Sequence, residues 1–309
     1  MSNFNFNREQ SQLKNPAISV ICINKNGEQY IEDTILSVLQ QDFDDFEFII
    51  ADGGSTDRSL EIIGKYKFIT LLPGQDSSRI EGWHRAVAAA RGRYVMVTTS
   101  TDGYLSRDWF KSASFVMEND PQVSLVFGAS ACMSSAGALG SIGYPIFFSF
   151  NNVPSKEKWT AMWLKYGLTI SYFPELNYCV RIDIFRNLIG PSTQFPELNG
   201  IDPILRFHFE FNRLGYLPKY LSTLANFGRT HNNQEQISER HQSYVRIYNA
   251  VWKKYCKGVI SGQYAHFLRD GQGRQIDNSQ HSLFKRLQLI LPRIPSIFSV
   301  LRRGLNKWT

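Results

Sequence analysis

Phe46-Glu47-Phe48-Ile49-Ile50-Ala51-Asp52-Gly53-Gly54-Ser55-Thr56-Asp57 is an apolar run that ends abruptly in an acidic, glycine-rich turn. The run is short, aromatic and β-branched, the composition of a buried strand. Gly53 and Gly54 permit a tight turn and leave room for a ligand to approach the backbone. Ser55, Thr56 and Asp57 are N-cap residue types, and Leu60, Ile62 and Ile63 begin a helical apolar pattern. The unit is strand, turn, helix, with Asp52 at the carboxyl end of the strand, where open α/β sheets bind ligands. An ordinary βα turn with a solvated Asp is the alternative, and this stretch alone does not separate the two.

The neighbouring sequence repeats the unit. Ile18 to Ile23 is a near-continuous apolar run, as a buried parallel strand requires, and Asn24-Lys25-Asn26-Gly27 turns the chain. Tyr30, Ile31, Ile35, Val38 and Leu39 then recur at helical spacing. Phe68 to Leu72 predicts a third strand stopped by Pro73-Gly74, and Ile80 to Arg91 a helix ended by Gly92. Tyr94 to Thr99 predicts a fourth strand opening onto Ser100-Thr101-Asp102-Gly103. Ser106, as N-cap, opens a helix to Asn119, and Val123 to Phe127 is a fifth strand. Strands alternating with helices predict a parallel α/β sheet with right-handed crossovers.

The second half is less regular. Residues 131–153 read as a loop or irregular strands lining a cleft. Helices are expected over Lys156–Tyr166, Asp202–Leu214 and Gln234–Lys254, with strands over Asn177–Ile182 and Tyr220–Phe227.

The chain has 309 residues, 43% of them hydrophobic, enough for one large or two ordinary domains with a sizeable core. Cys22, Cys132, Cys179 and Cys256 are scattered without zinc-like spacing, so reduced core thiols are expected. Met1 to Asn15 is polar and does not read as a signal peptide. No apolar run reaches the ~18 residues of a spanning helix. The formal charge of +7 raises nucleic acid, an anionic membrane or a phosphate-bearing substrate as partners. From Asn278 to Thr309 there is no acidic residue, while Lys285, Arg286, Arg293, Arg302, Arg303 and Lys307 alternate with aliphatics and Phe298. Basic and apolar together suggest a segment lying in an anionic membrane face; a packed C-terminal helix with a basic outer face is the alternative. Few stacking aromatics accompany the tail's charge, so nucleic acid is not expected. No GxGxxG follows the first strand, which argues against a dinucleotide oxidoreductase.

Ile18 to Asn26, then Ser37-Val38-Leu39-Gln40-Gln41, then Ala51 to Asp57 together resemble the N-terminal half of the family 2 glycosyltransferases, which have the GT-A fold. Those enzymes show a strand ending in Asn, a helix ending in Ser-x-x-x-Gln and an Asp-Gly-Gly-Ser-Thr-Asp-like signature, in this order. Gly74-Gln75-Asp76 and the helix end from Ala86 to Gly92 resemble the next block. The likeness is strong over residues 16–130 and weaker to about 235. It implies a mostly parallel, helix-flanked GT-A sheet, with a leader at 1–15. The nucleotide-sugar half would span 16–130, the acceptor half 131–235, and a helical extension with the basic tail 236–309.

The resemblance also implies site residues. Asp52 would accept a hydrogen bond from the base, beside the backbone of Ile23 and Asn24, with Asn26 and Gly53 in the same donor site. Asp76 would lie near the nucleotide, and Arg79 and Arg85 are candidates for its diphosphate. The family's Asp-x-Asp metal cluster is thinned here to Asp102, with Thr101 in the place of a carboxylate. One carboxylate still holds Mg²⁺ or Mn²⁺ when diphosphate and water complete the shell. His231, in a segment resembling the family's Arg-x-His, is a second possible ligand. A general base near the acceptor hydroxyl is needed, and Asp202 is the candidate, with Glu197 and Glu210 as rivals. Trp83, His84, Tyr104, Trp109 and Trp163 are available for sugar stacking, though core packing suits most of them.

The expectation is therefore an inverting transferase that moves a sugar from a UDP-sugar to a glycan or lipid-linked acceptor in cell-surface polysaccharide synthesis. It would be cytoplasmic or peripheral on the inner membrane face. A non-catalytic sugar-nucleotide or glycan-binding relative is the alternative.

Overall fold

The computed structural model describes residues 15–143, 178–190, 203–214, 216 and 218–229. Asp202, His231, Glu197, Trp163 and the basic tail lie outside them.

Nine strands form one sheet among the described residues. In chain order they are β1 (Ile18–Asn24), β2 (Phe46–Asp52), β3 (Ile69–Pro73), β4 (Tyr94–Thr99), β5 (Asp102–Tyr104), β6 (Leu125–Met133), β7 (Leu139–Gly143), β8 (Tyr178–Arg181) and β9 (Pro218–Arg229). The helices are α1 (Ile31–Leu39), α2 (Ser59–Gly64), α3 (Arg79–Ala89), α4 (Trp109–Asn119), α5 (Ile182–Ile189) and α6 (Pro203–Leu214). The spatial order is β3-β2-β1-β4-β8-β6-β9-β5, with β7 paired to β6.

β3, β2, β1 and β4 are parallel, as their continuous apolar runs predict. β1 and β2 are buried almost throughout. The chain winds outward from β1 through β2 to β3, then returns to place β4 on the other side of β1. That reversal makes the β1/β4 border the switch point where such sheets carry a crevice. Beyond β4 the sheet is mixed. β6 runs in the direction expected of a fifth parallel strand, but β8 sits between it and β4, antiparallel to both. The stretch expected to be irregular after residue 131 continues β6 and turns back as β7.

Register does the positioning. Asn24 pairs with Asp52, Ile23 with Thr99, and Asp52 with Pro73. Four strands therefore end in line, and their four loops leave from one edge.

Trp83 and Trp109 are fully buried and Tyr104 nearly so, which assigns all three to the core rather than to sugar stacking. Phe110 lies edge-on to both Phe46 and Tyr104, with centroids 5.5 and 4.8 Å away. Cys22 and Cys179 are core thiols whose pKa burial pushes well up, whereas Cys132 is exposed on β6. No described helix is long and apolar enough to cross a membrane.

Candidate functional site

The opening turn is built around Asp52, which is 1% exposed and so not the solvated aspartate of an ordinary turn. Its Oδ1 accepts the backbone N–H groups of Gly54 (3.0 Å) and Ser55 (2.8 Å). Its Oδ2 accepts the Ser55 hydroxyl (2.6 Å) and Asn24 Nδ2 (2.7 Å). Four donors use the roughly four lone-pair positions a carboxylate has. The turn also needs its glycines. Gly54 has φ +87°, and a Cβ there would lie 2.6 Å from Gln75 Oε1. Asp52 thus organises the loop, and a base N–H reaches it only by exchanging one of these bonds.

Arg58 occupies the N-cap position of α2 (from Ser59) without a side-chain cap, and of Ser55, Thr56 and Asp57 it is Asp57 that bonds the start of the helix. All three also bond the loop after β1. Asn26, in the left-handed region at φ 53°, accepts Thr56 N–H on Oδ1 (2.8 Å) and donates its own N–H to Ser55 Oγ (2.9 Å). Asp57 Oδ2 accepts Glu28 N–H (2.9 Å) and Oδ1 accepts Ser59 N–H (2.9 Å). Slight burial would raise the Asp57 pKa, but hydrogen bonds from Ser59 and the Glu28 and Ser59 amides outweigh it and hold the carboxyl below its ordinary value.

The third loop closes against the second. Asp76 is grasped by both terminal nitrogens of Arg85, with Nη2–Oδ2 at 3.0 Å, and Arg85 Nη2 also donates to Asp52 O (2.9 Å). The structure therefore pairs two residues whose sequence context suggested separate roles, at the nucleotide and at the diphosphate. Gly74 makes room for the guanidinium, and Gly53 and Gly82 make room for the Asp76 carboxylate. Arg79 begins α3 and is exposed. Lys25, to which the sequence alone assigned no role, stretches past Gly53 and donates from Nζ to Asp76 O (3.4 Å). The signal that could have found it is a cation in the turn directly after the first strand.

The fourth loop lies across β1. Thr99 Oγ1 donates to Asp102 Oδ2 (2.7 Å) and lies 3.0 Å from Thr101 Oγ1. Ser100 N–H donates to Ile23 O (3.2 Å), and Thr34 Oγ1 donates to Asp102 O (2.6 Å). Asp102 opens β5, a strand expected to be loop, because its segment pairs with Asn226–Gly228 of β9. The Ser-x-x-x-Gln signature braces this region. Ser37 Oγ accepts Tyr104 N–H (3.1 Å), while Gln41 bonds Ser106 O (2.8 Å) and Phe110 N–H (3.1 Å). Ser106 does not cap α4, which starts at Trp109.

Ile23, Asn24, Asn26, Asp52, Gly53, Asp76, Thr101 and Asp102 thus lie at the ends of the four aligned strands, with Arg85 bonded to Asp52 O and Asp76 and Arg79 exposed at the start of α3. No group of three His, Cys, Asp or Glu among the described residues is arranged to hold a metal ion. Asp102 with the Thr99 and Thr101 hydroxyls fits a hard cation that arrives with oxygen ligands of its own, as a diphosphate supplies. Glu210 on α6 is 5% exposed, which does not suit a base that must reach an acceptor.

Comparison with known proteins accords with this architecture. The profile of "Glycosyl transferase family 2" matches residues 19–155. Over 108 residues the chain is 34% identical to the putative teichuronic acid biosynthesis glycosyltransferase TuaG of Bacillus subtilis, covering 33% of this chain and 43% of that protein. Over 116 residues it is 33% identical to the poly(ribitol-phosphate) beta-N-acetylglucosaminyltransferase TarS of Staphylococcus aureus, covering 35% of this chain and 20% of that one. The chain spans less than half the length of these relatives. Among solved structures, S. aureus TarS 1-349 in complex with UDP-GlcNAc superposes with TM-score 0.55 at 15% identity, over 82% of this chain and 70% of that chain. The mannosyltransferase PcManGT from Pyrobaculum calidifontis, in complex with GDP-Man and Mn²⁺, gives TM-score 0.52 at 15% identity, over 97% and 84%. These likenesses show the mixed, open, helix-flanked sheet of the GT-A fold. The three ordered signatures lie in or beside the stretch, residues 19–155, that the family 2 glycosyltransferase profile matches.

Proposed function

We propose that the crevice binds a nucleotide-sugar, with UDP as the base-bearing part, and that the chain transfers the sugar with inversion to a hydroxyl of a glycan or lipid-linked glycan. The observation that carries this reading is the in-line ending of β1, β2, β3 and β4, which brings the Asn24, Asp52, Asp76 and Asp102 loops to one switch-point edge. Relatives named for teichuronic acid synthesis and for poly(ribitol-phosphate) glycosylation support a cell-surface polymer as the product.

In this reading the Asn24–Asp52 pair holds the base-side backbone, including Ile23, in place, and the Arg85–Asp76 pair closes the far wall. Lys25 and Arg79 meet phosphate charge at the mouth. Asp102 would hold Mg²⁺ or Mn²⁺ together with the diphosphate, and such a cation supplies charge neutralisation of the leaving nucleotide. Asp202, immediately before α6, takes the acceptor proton, and His231 is a second cation ligand. Asp202→Asn should keep donor binding and lose transfer; full transfer in that variant removes Asp202 from the role. The basic tail after residue 278 provides peripheral contact with an anionic membrane. Removing residues after about 280 should abolish co-sedimentation with anionic vesicles, and unchanged partition would overturn that part.

A further inference from the structure

Arg229 ends β9 with its side chain 5% exposed, and its guanidinium joins three elements. Nη1 donates to Thr101 O at 3.1 Å, and Nη2 pairs with Asp33 Oδ2 of α1 at 2.5 Å. The guanidinium carbon lies 4.3 Å from the Tyr30 ring centroid and 5.1 Å from that of Phe227, so aromatic faces cover it on two sides. The carbonyl it holds belongs to Thr101, directly before Asp102, whose strand partner on β9 is Gly228. The cation is too deeply buried to touch a ligand in the crevice, so its effect on one passes through the Thr101–Asp102 peptide. A planar fork is suited to such a position, because it bonds a carbonyl and a carboxylate at once in fixed geometry, which a lysine ammonium does not reproduce.

We propose that Arg229 is a positioning residue for the diphosphate side of the site, fixing the Thr101–Asp102 peptide from behind so that the Asp102 carboxylate faces the bound nucleotide. Asp33 and Tyr30 hold the guanidinium against α1, so the loop is clamped between the helix after β1 and the last sheet strand. This rests on the nucleotide-sugar reading above.

The test uses the full chain and its Arg229→Lys variant, with UDP titration by calorimetry and peptide-resolved hydrogen exchange. The proposal expects UDP affinity in the variant to fall about tenfold. It also expects amide exchange over residues 99–104 to rise while β1, β2 and the β6–β9 pairing keep wild-type protection. Asp33→Asn should give the same pattern more weakly. Wild-type affinity and protection in Arg229→Lys would overturn the proposal. So would a loss of protection spread equally over β6 and β9, the mark of a merely structural role. If the wild-type chain binds no UDP, the nucleotide reading fails, while the exchange comparison at 99–104 still decides whether Arg229 positions that loop.

Discussion

Arg85 and Asp76 form a two-pronged ion pair at the wall of the crevice. Arg85 Nη2 lies 3.0 Å from Asp76 Oδ2 and 2.9 Å from Asp52 O, so one guanidinium ties the loop after β3 to the loop after β2. The Asp76 side chain is 7% exposed and that of Arg85 28%. Removing the cation leaves a nearly buried carboxylate uncompensated, which costs about 3 kcal/mol where burial is complete and somewhat less here. Arg85→Ala should therefore lower the urea midpoint clearly, and Asp76→Ala/Arg85→Ala should recover part of the loss. A double variant as unstable as the sum of the singles would show that the two do not interact.

Asp52→Asn probes the centre of the turn. An amide replaces two acceptor oxygens with one oxygen and an N–H₂ group, which must then face donors. With two of four hydrogen bonds lost and donors opposed, stability should drop by about 2–3 kcal/mol. Denaturant unfolding measures this, and UDP affinity should fall in the same variant. A fully stable Asp52→Asn protein would contradict the assignment of Asp52 as loop organiser.

Gly54→Ala tests the backbone. At φ +87° a Cβ is strained by about 1–2 kcal/mol, and it would also press on Gln75 Oε1 2.6 Å away. Gly64→Ala is the control, because nothing lies within 4 Å of a Cβ there. The expected order of melting temperatures is wild type and Gly64→Ala together, Gly54→Ala lower.

Asp57 predicts a pH dependence. Its folded pKa lies below the ordinary value, so the folded state favours the charged form. The stability it contributes is complete above the unfolded pKa and is lost as pH falls through the folded one. Asp57→Asn should therefore flatten the acid limb of the stability curve below about pH 4 and leave its slope near neutrality unchanged. An identical acid limb in the variant would refute the assignment.

β1, β2 and β4 were legible because each is a largely apolar run buried on both faces, and β3 because its short apolar run is stopped by Pro73-Gly74. The loops were legible only as residue types. Ser55, Thr56 and Asp57 look like caps in sequence, yet they bond residues 26 and 28 of the neighbouring loop, a pairing set by the β1/β2 register. The insertion of β8 between β4 and β6 was hidden for the same reason: strand partners far apart in the chain leave no local trace. Asp76 and Arg85 were each found but not joined, since nine residues apart on a loop and a helix do not announce a contact. Arg229 was visible only as the first residue of the Arg-x-His-like segment, because its role depends on an aspartate almost two hundred positions earlier.

We propose that the aligned loops at the β1/β4 edge bind a nucleotide-sugar with Asp102 on the diphosphate side. Calorimetric titration of UDP in the presence of Mn²⁺, into the wild-type chain and Asp102→Asn, tests it most directly, with NAD as the control ligand. The wild type should bind UDP saturably, Asp102→Asn should bind it at least about tenfold more weakly, equivalent to ~1.4 kcal/mol, and neither should bind NAD. Absence of UDP binding by the wild type, or equal affinity in the two proteins, would contradict it.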